Sequence, residues 1–292
     1  MSIRGTLGYY HELLMPERLY PRALKKWYKK AAGKELNLDD PKTFNEKLQW
    51  IKLYYRDPMM TRLSDKYLVR EWIKNEIGEE YLIPLIGVYE RFDDIDFDKL
   101  PESFVMKANH GSGWNIIVKD KASLDKKLAR KKFNKWLKKN FAFSFGYQLH
   151  YSGIKPRIVI EEFISEKDHY LYDYKILVLG GKARYIWIDS DRDTAHHRNI
   201  FDFQWNPAPF TLQYPKKDIE PERPVNLEKM KELSEKLARG FNEVRVDFYE
   251  IEGKIYFGEM TFTSGSGHEF FDPPEWDRKL GDMFKLPEPY GV

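Results

Sequence analysis

In the last fifty residues of the chain, two β-rich runs, VRVDFYEI and KIYFGEMTF, flank Glu252-Gly253 and predict an antiparallel hairpin. Its register decides what the sheet can do. Side chains alternate with period two. If Asp247 lies opposite Glu259, one face therefore carries Arg245, Asp247, Glu259 and Thr261, with Tyr249 facing Phe257 and Ile251 facing Ile255. The other face then carries Val244, Val246, Phe248 and Met260, a core surface interrupted by Glu250. Two opposed carboxylates repel unless a cation lies between them, and hard divalent metals take oxygen ligands. A strict two-residue loop would instead set Asp247 against Gly258 and send Glu259 to the far side. The metal arrangement thus requires a three-residue loop or a bulge near Gly253. An amphipathic hairpin with solvated carboxylates is the plain alternative.

The 292 residues suffice for two or three packed units. Charge nearly balances at a formal +3, so no strong polyanion-binding field is implied and no nucleic-acid partner is expected. The absence of cysteine removes disulfides, thiolate metal sites and cysteine nucleophiles together. No apolar run approaches the roughly 18 residues of a spanning helix, and residues 1–30 lack a signal-type core, which predicts a cytoplasmic protein without a transmembrane segment. Aromatic residues reach 16%, so rings are expected to line clefts as well as core; carbohydrate contact and plain packing both account for this.

The first eighty residues predict helices. RALKKWYKK offers a basic turn with Leu24, Trp27 and Tyr28 on one side. A helix opens at Thr43, with Glu46 completing a capping box and Phe44, Leu48, Ile51 and Tyr55 facing inward. A second helix is expected over 60–76, where Asp65, Lys66 and Arg70 form a surface salt-bridge set or reach an anionic ligand. Composition shifts to strand near residue 80, with runs at 81–89 and 103–107. Lys107 then precedes Ala-Asn-His-Gly-Ser-Gly and a further strand. Glycines there let backbone N–H groups close around phosphate oxygens beside a lysine, or merely satisfy positive φ angles in a hairpin.

A basic helix over 122–140 follows, with Leu124, Leu128, Phe133 and Leu137 as its stripe. The strand RIVIEEFI carries two glutamates late in an apolar run, costly unless paired. Such a strand suits an adenine hinge, with Glu161 accepting from the exocyclic amine and Phe163 and Ile164 covering a ring face. DYKILVLGG sets Asp173 and Lys175 on one face and returns through a Gly180-Gly181 turn. His196 and His197, being adjacent, do not suit one zinc ion, whereas Arg192 and Arg198 suit anion contacts. A helix over 227–239 delivers the chain into the hairpin, and the last twenty-five residues are irregular apart from a short turn near 276–284.

The order and spacing of FVMKANHGSG, RIVIEEFI, DYKILVLGGK and VRVDFYEIEGKIYFGEMTF resemble the ATP-grasp superfamily, and its TupA-like branch associated with surface-polysaccharide biosynthesis. The resemblance implies an α+β fold in which two α+β subdomains clasp ATP. Residues 1–80 form a mainly helical N-terminal region, 81–164 the smaller subdomain with the glycine-rich loop and hinge, and 165–292 the C-terminal subdomain with the metal hairpin. It implies an ATP- and Mg2+-dependent carboxylate–amine ligase working through an acyl-phosphate, with a small amine and a carbohydrate carboxylate as substrates.

On that resemblance Lys107 and Lys175 hold the triphosphate, and Gly111, Ser112 and Gly113 cover it. Glu161, Glu162, Phe163 and Ile164 bind adenine, and Asp173 approaches the ribose. Asp247, Glu259 and Thr261 ligate magnesium, with Thr261 where relatives commonly carry Asn. Arg245, Lys175 and Arg198 serve the transferring phosphoryl group. Arg192, Asn199, Ser264, Gly265 and Ser266 are expected at the acceptor, and Trp50, Tyr54, Tyr55 and Arg56 offer a carbohydrate surface. The rival expectations are a glycosyltransferase using the DxD run Asp189-Ser190-Asp191, and a nucleotide-binding scaffold without catalysis.

Overall fold

The computed structural model describes residues 3–165, 171–191, 195–218 and 221–291. The chain opens with α1 (Ile3–Leu13), α2 (Tyr20–Ala32), α3 (Phe44–Tyr54), α4 (Pro58–Ser64) and α5 (Val69–Glu76). Along α2, Tyr20, Leu24, Tyr28 and Ala32 recur every fourth residue and bury one stripe, and left-handed Gly33 ends the helix. The capping box at Thr43 and Glu46 is present as expected, and Phe44, Leu48 and Ile51 are buried, whereas Tyr55 lies past the helix end.

The single helix expected over 60–76 is divided. Asp65 is fully buried, and its carboxylate accepts the backbone N–H of Tyr67 at 2.8 Å and of Leu68 at 3.3 Å. A short acidic side chain that caps its own backbone competes with helix propagation. The interruption turns Lys66 toward the glycine-rich turn, away from any surface cluster.

The first sheet comprises β1 (Leu85–Tyr89), β2 (Phe104–Ala108), β3 (Asn115–Val118) and β4 (Ile158–Glu162), in the antiparallel order β1-β4-β2-β3. Strands β2 and β3 form the expected hairpin around the glycines, with Lys107 opposite Asn115. Helix α6 (Lys126–Trp136) belongs to the same core, where Ala129 and Phe133 join Phe104, Met106, Ile158 and Ile160. It is shorter than expected, because Asp125 caps it by accepting from the Leu128 N–H; Leu124 precedes the helix and Leu128 is exposed.

The second sheet comprises β5 (Asp173–Leu179), β6 (Lys182–Ser190), β7 (His197–Phe201), β9 (Glu243–Ile251) and β10 (Lys254–Thr261), in the antiparallel order β10-β9-β5-β6-β7. Two-residue strands β8 (Thr211–Leu212) and β11 (Phe271–Asp272) pair with each other. Helix α7 (Leu227–Leu237) contributes Leu227, Met230, Leu233 and Leu237 to the core of the second sheet. The residues expected as a short C-terminal turn form α8 (Glu275–Asp282). That same core takes in Phe44, Leu48 and Ile51 from α3 and Met60 and Leu63 from α4, so the N-terminal helices and the second sheet share one interior. Each fully buried Leu or Phe there contributes roughly 1.5–3 kcal/mol.

In the hairpin, Asp247 does face Glu259 and Arg245 faces Thr261, but by a different device than expected. Glu252 and Gly253 both have positive φ, 50° and 74°, which makes a two-residue turn whose twist matches the strands. The pairs nearest the turn are accordingly Ile251 with Lys254, Tyr249 with Tyr256 and Phe248 with Phe257, not Tyr249 with Phe257 or Ile251 with Ile255. Continued unbroken, that register would set Asp247 against Gly258. The shift comes between Phe257 and Glu259, where Gly258 is left out of the ladder and every later side chain changes face. A Cβ at Gly258 would lie 3.0 Å from the Asp247 carbonyl oxygen, so a glycine suits this bulge.

Candidate active site

The consequence of that bulge is a charged row across all five strands. Arg198 on β7 pairs with Asp189 on β6, Asp189 lies opposite Asp173 on β5, Lys175 lies opposite Asp247 on β9, and Asp247 lies opposite Glu259 on β10. All except Glu259 are buried. A row of this kind costs a great deal to desolvate unless signs alternate and hydrogen bonds are satisfied.

Arg245 supplies much of that compensation. Its Nε donates to Asp247 Oδ1 and its Nη2 to Asp247 Oδ2, both at 2.7 Å, and Nη2 also lies 3.2 Å from Glu259 Oε1 and from Thr261 Oγ1. Its Nη1 reaches Ser264 Oγ at 3.0 Å. Lys175 pairs with Asp173 and lies 3.5 Å from Asp247 and 3.8 Å from Asp189. Arg198 binds Asp189 through Nε at 2.6 Å and Nη2 at 3.1 Å, and Glu269 through Nη1 at 2.7 Å.

The other wall comes from the first sheet and the turn between β2 and β3. Lys107 donates to Glu161 Oε2 at 2.6 Å, while Arg70 donates to Oε1 at 2.7 Å, so both oxygens of Glu161 are engaged. Lys66 donates to the Gly111 carbonyl at 2.8 Å and lies 3.8 Å from Glu259, bridging the glycine turn to the hairpin. Ser112 and left-handed Gly113 line a cavity of about 310 Å3 together with Lys66, Lys107, Lys175, Arg198, Arg245, Asp247 and Glu259. A side chain at Gly111 would strike the Trp114 ring.

These surroundings separate the carboxylates. Burial opposes the charge of Glu259, yet Lys66, Arg245 and Lys175 outweigh it and hold the group down to about 2. Asp189 is more deeply buried, and its bidentate Arg198 with Lys175 holds it below the usual carboxylate range. For Asp247 burial is the larger effect and raises its pKa, although Arg245 and Lys175 pull the other way.

Asp247, Glu259 and Thr261 offer only oxygen donors, which suits a hard cation such as Mg2+ held by one or two carboxylates and by substrate phosphates. Among the described residues no group of three or more His, Cys, Asp or Glu side chains is arranged to hold a metal by itself, so phosphate oxygens would have to complete such a site.

A second cavity of about 470 Å3 adjoins the first and shares Ser112, Gly113, Arg245, Glu259, Gly265 and Glu269 with it. Tyr214 also borders both, and the remaining wall is aromatic and amide-rich, with Phe141, Phe145 and Tyr151 beside Gln148, Gln213, Thr263 and His268. Ser266 lines it too.

Not every expected residue joins these two spaces. Glu162, Phe163 and Ile164 lie at the exit of β4 and line neither cavity. Asn199 binds the backbone of Lys217 through both ends of its amide, at 3.1 and 3.2 Å, and stays out of the cleft. Arg192 lies outside the described residues. Trp50 packs on Tyr54, Tyr55 on Tyr290, and Arg56 pairs with Glu17, and none of these four expected carbohydrate contacts lines either cavity. Of the DxD run, Asp189 sits under Arg198 and lines the first cavity, while Asp191 binds Lys217 at 2.8 Å and lines neither.

Sequence reasoning did not single out Glu269 or Tyr214, and it left Lys66 between a surface salt-bridge set and an anionic ligand. Lys66 carried a usable signal, since Asp65 next to it is a backbone-capping residue in mid-helix. The pairing of Glu269 with Arg198, far apart in the chain, left none.

The family model described as TupA-like ATPgrasp matches residues 46–285. No curated protein sequence matches the chain. Among solved structures, the chain is similar to D-alanine–D-alanine ligase from Bacillus anthracis complexed with ATP, at 19% identity and a TM-score of 0.45, covering 77% of this chain and 65% of that one. N5-carboxyaminoimidazole synthetase from Staphylococcus aureus complexed with ADP is similar at 14% identity and a TM-score of 0.42, covering 78% of this chain and 53% of that one. The chain thus spans less than two thirds of the length of either.

Proposed function

Because the chain belongs to the TupA-like ATP-grasp family, we propose that it is a cytoplasmic, ATP- and Mg2+-dependent carboxylate–amine ligase that attaches an amino acid or similar amine to a sugar carboxylate in surface-polysaccharide biosynthesis. The observation that carries this reading is the Gly258 bulge, which brings Asp247 and Glu259 to the same face as Arg245. Without it Glu259 would point to the opposite side, and the cleft would lose one of its two candidate metal carboxylates.

In this reading the triphosphate occupies the 310 Å3 cavity. Lys107 and Lys175 contact its oxygens, Gly111 to Gly113 close over it with backbone N–H groups, and Lys66 ties that turn to the opposite wall. Glu161 serves by holding Lys107 and Arg70 in place, which replaces the contact with the adenine amine expected from sequence. Glu162, Phe163 and Ile164 remain the proposed edge of the adenine pocket, and Asp173 the ribose contact. Asp247 and Glu259, with Thr261 beside them, would hold magnesium, which when bound supplies Lewis-acid polarisation of the phosphates.

The acceptor carboxylate is placed in the adjoining 470 Å3 chamber, where Arg245 borders both spaces. A carboxylate oxygen attacks the γ-phosphorus in line, and the bond to ADP breaks. Arg245 and Lys175 neutralise the charge that develops on the transferring phosphoryl group. An amine nitrogen then attacks the acyl carbon, the carbon–oxygen bond to phosphate breaks, and the amine gives up a proton. Arg198, oriented by Asp189 and Glu269, borders the nucleotide cavity and is proposed to receive the acceptor's anionic group. Rings and amides around the chamber suit the apolar faces and hydroxyl groups of a sugar.

ADP release with paired panels of sugar carboxylates and amines tests the proposal. Release that depends on both partners supports it. Unchanged release in Asp247→Asn and Glu259→Gln would remove the metal assignment.

A further inference from the structure

The segment Ser264–Gly267 is strained where it meets the acceptor chamber. Gly265, Ser266 and Gly267 all adopt left-handed conformations, with φ of 53°, 54° and 64°. Ser266 has no glycine freedom, and such a residue persists only where its surroundings over-determine it. Those surroundings belong to α3. Asn45, Gln49 and Lys52 recur at the spacing of one helix face, and each donates to a backbone carbonyl of the loop. Asn45 Nδ2 reaches Glu269 O at 2.9 Å, Gln49 Nε2 reaches Ser266 O at 2.8 Å and Gly267 O at 2.5 Å, and Lys52 Nζ reaches Ser266 O at 2.5 Å. The fit is close as well as polar, since a Cβ on Gly267 would lie 2.6 Å from Gln49 Nε2.

Lys52 is the unusual member. It is 1% exposed, and no carboxylate among the described residues pairs with it. Its ammonium is satisfied by Ser266 O, Ser266 Oγ at 2.7 Å and Gln49 Oε1 at 3.0 Å, with the Trp27 ring 4.9 Å away. Burial lowers its pKa well below the usual lysine range. An apolar side chain of similar volume would fill the same space without burying an unpaired cation. Core packing alone therefore does not account for a lysine here.

We propose that Lys52, with Gln49 and Asn45, is a positioning residue for the acceptor side of the active site. It locks the 264–267 turn in its left-handed form and so sets the groups at either end of that turn. Ser264 receives Arg245 at 3.0 Å, and Glu269 receives Arg198 at 2.7 Å. The helical N-terminal region thereby gains a role: it fixes, through one loop, the two arginines that face the reacting groups. The catalytic consequence rests on the ligase reading above, whereas the effect on the loop does not.

Hydrogen–deuterium exchange and steady-state turnover of wild type, Lys52→Met and Gln49→Met test this, the second variant serving if the first does not fold. The expected result is exchange at least tenfold faster in residues 264–269 with β9 unchanged, and Mg-ATP affinity within twofold of wild type. In turnover, kcat/KM for the carboxylate partner is expected to fall at least tenfold while KM for ATP holds. Unchanged exchange at 264–269 overturns the proposal, as does wild-type kcat/KM, or a loss of ATP affinity equal to the loss of turnover. If wild type releases no ADP with any partner pair, the ligase reading fails, and the exchange comparison still decides whether Lys52 sets the loop.

Discussion

Arg245 grips Asp247 with two parallel hydrogen bonds, Nε to Oδ1 and Nη2 to Oδ2, each 2.7 Å long. The two residues are neighbours on one face of β9, so the strand itself holds a cation against a carboxylate that burial would otherwise neutralise. The same guanidinium reaches Glu259, Thr261 and Ser264, and thus connects the candidate metal ligands to the 264–267 loop.

Replacing Arg245 with Lys keeps the charge and loses the fork. Turnover is expected to fall by about 100- to 1000-fold, the range for removing one preorganised charge-stabilising donor. Mg-ATP affinity, measured by calorimetry, is expected to change far less. An equal loss in both would mean that Arg245 serves binding alone.

Gly258→Ala probes the bulge. The new Cβ would press on the Asp247 carbonyl oxygen at 3.0 Å, so the strand must shift or abandon its register. Stability is expected to fall by about 1–3 kcal/mol in urea titration, as for overpacking. Mg-ATP-dependent turnover should fall much further than this stability loss explains. Activity retained in proportion to folded protein would separate the register from function.

Glu161→Gln removes the anionic partner of Lys107 and Arg70. Partners that orient metal ligands change affinity by about 10- to 100-fold, and Glu161 orients a phosphate-binding lysine in the same manner. KM for ATP is expected to rise by roughly tenfold with a smaller effect on kcat. If KM for ATP is unchanged, Lys107 does not depend on Glu161.

Glu243 gives a prediction about stability and pH. Burial raises its pKa well above the ordinary value, Arg245 opposes that only in part, and neither carboxyl oxygen has a hydrogen-bond partner among the described residues. The folded state therefore retains a proton that the unfolded state releases above about pH 4.5, and the stability present below that pH is lost as pH rises toward the folded pKa. Glu243→Gln is expected to match wild type in urea titrations at pH 4.5 and to be more stable at pH 8. An equal difference at both values would show that ionisation of Glu243 is not the cause.

How much of this was legible in sequence depended on whether the cause was local. The capping box at Thr43 and Glu46, the Lys107–glycine hairpin and the Gly180-Gly181 turn are set by residues next to one another, and all three are present. The bulge was foreseen but misplaced. Glu252-Gly253 already makes a two-residue turn, so the extra residue had to be accommodated further along the strand, at Gly258. The break at Asp65 escaped because a carboxylate that caps its own backbone looks like an ordinary helical surface residue until its burial is known.

On α3 the inward stripe of Phe44, Leu48 and Ile51 was visible, whereas Gln49 and Lys52, being polar, carried no signal of burial. They are buried because the loop at 264–269 covers the second face of the helix, a contact made across more than two hundred residues. Glu269 was invisible for the same reason: its partner Arg198 is brought to it by the sheet.

The most direct test of the central claim is ADP and amide formation from Mg-ATP, a sugar carboxylate and an amine, measured together in wild type and in Glu259→Gln. The account predicts equal amounts of ADP and amide in wild type, formed only when both partners are present, and a loss of both by about 100-fold in the variant. ADP formation that ignores the carboxylate, or a Glu259→Gln protein as active as wild type, would contradict it.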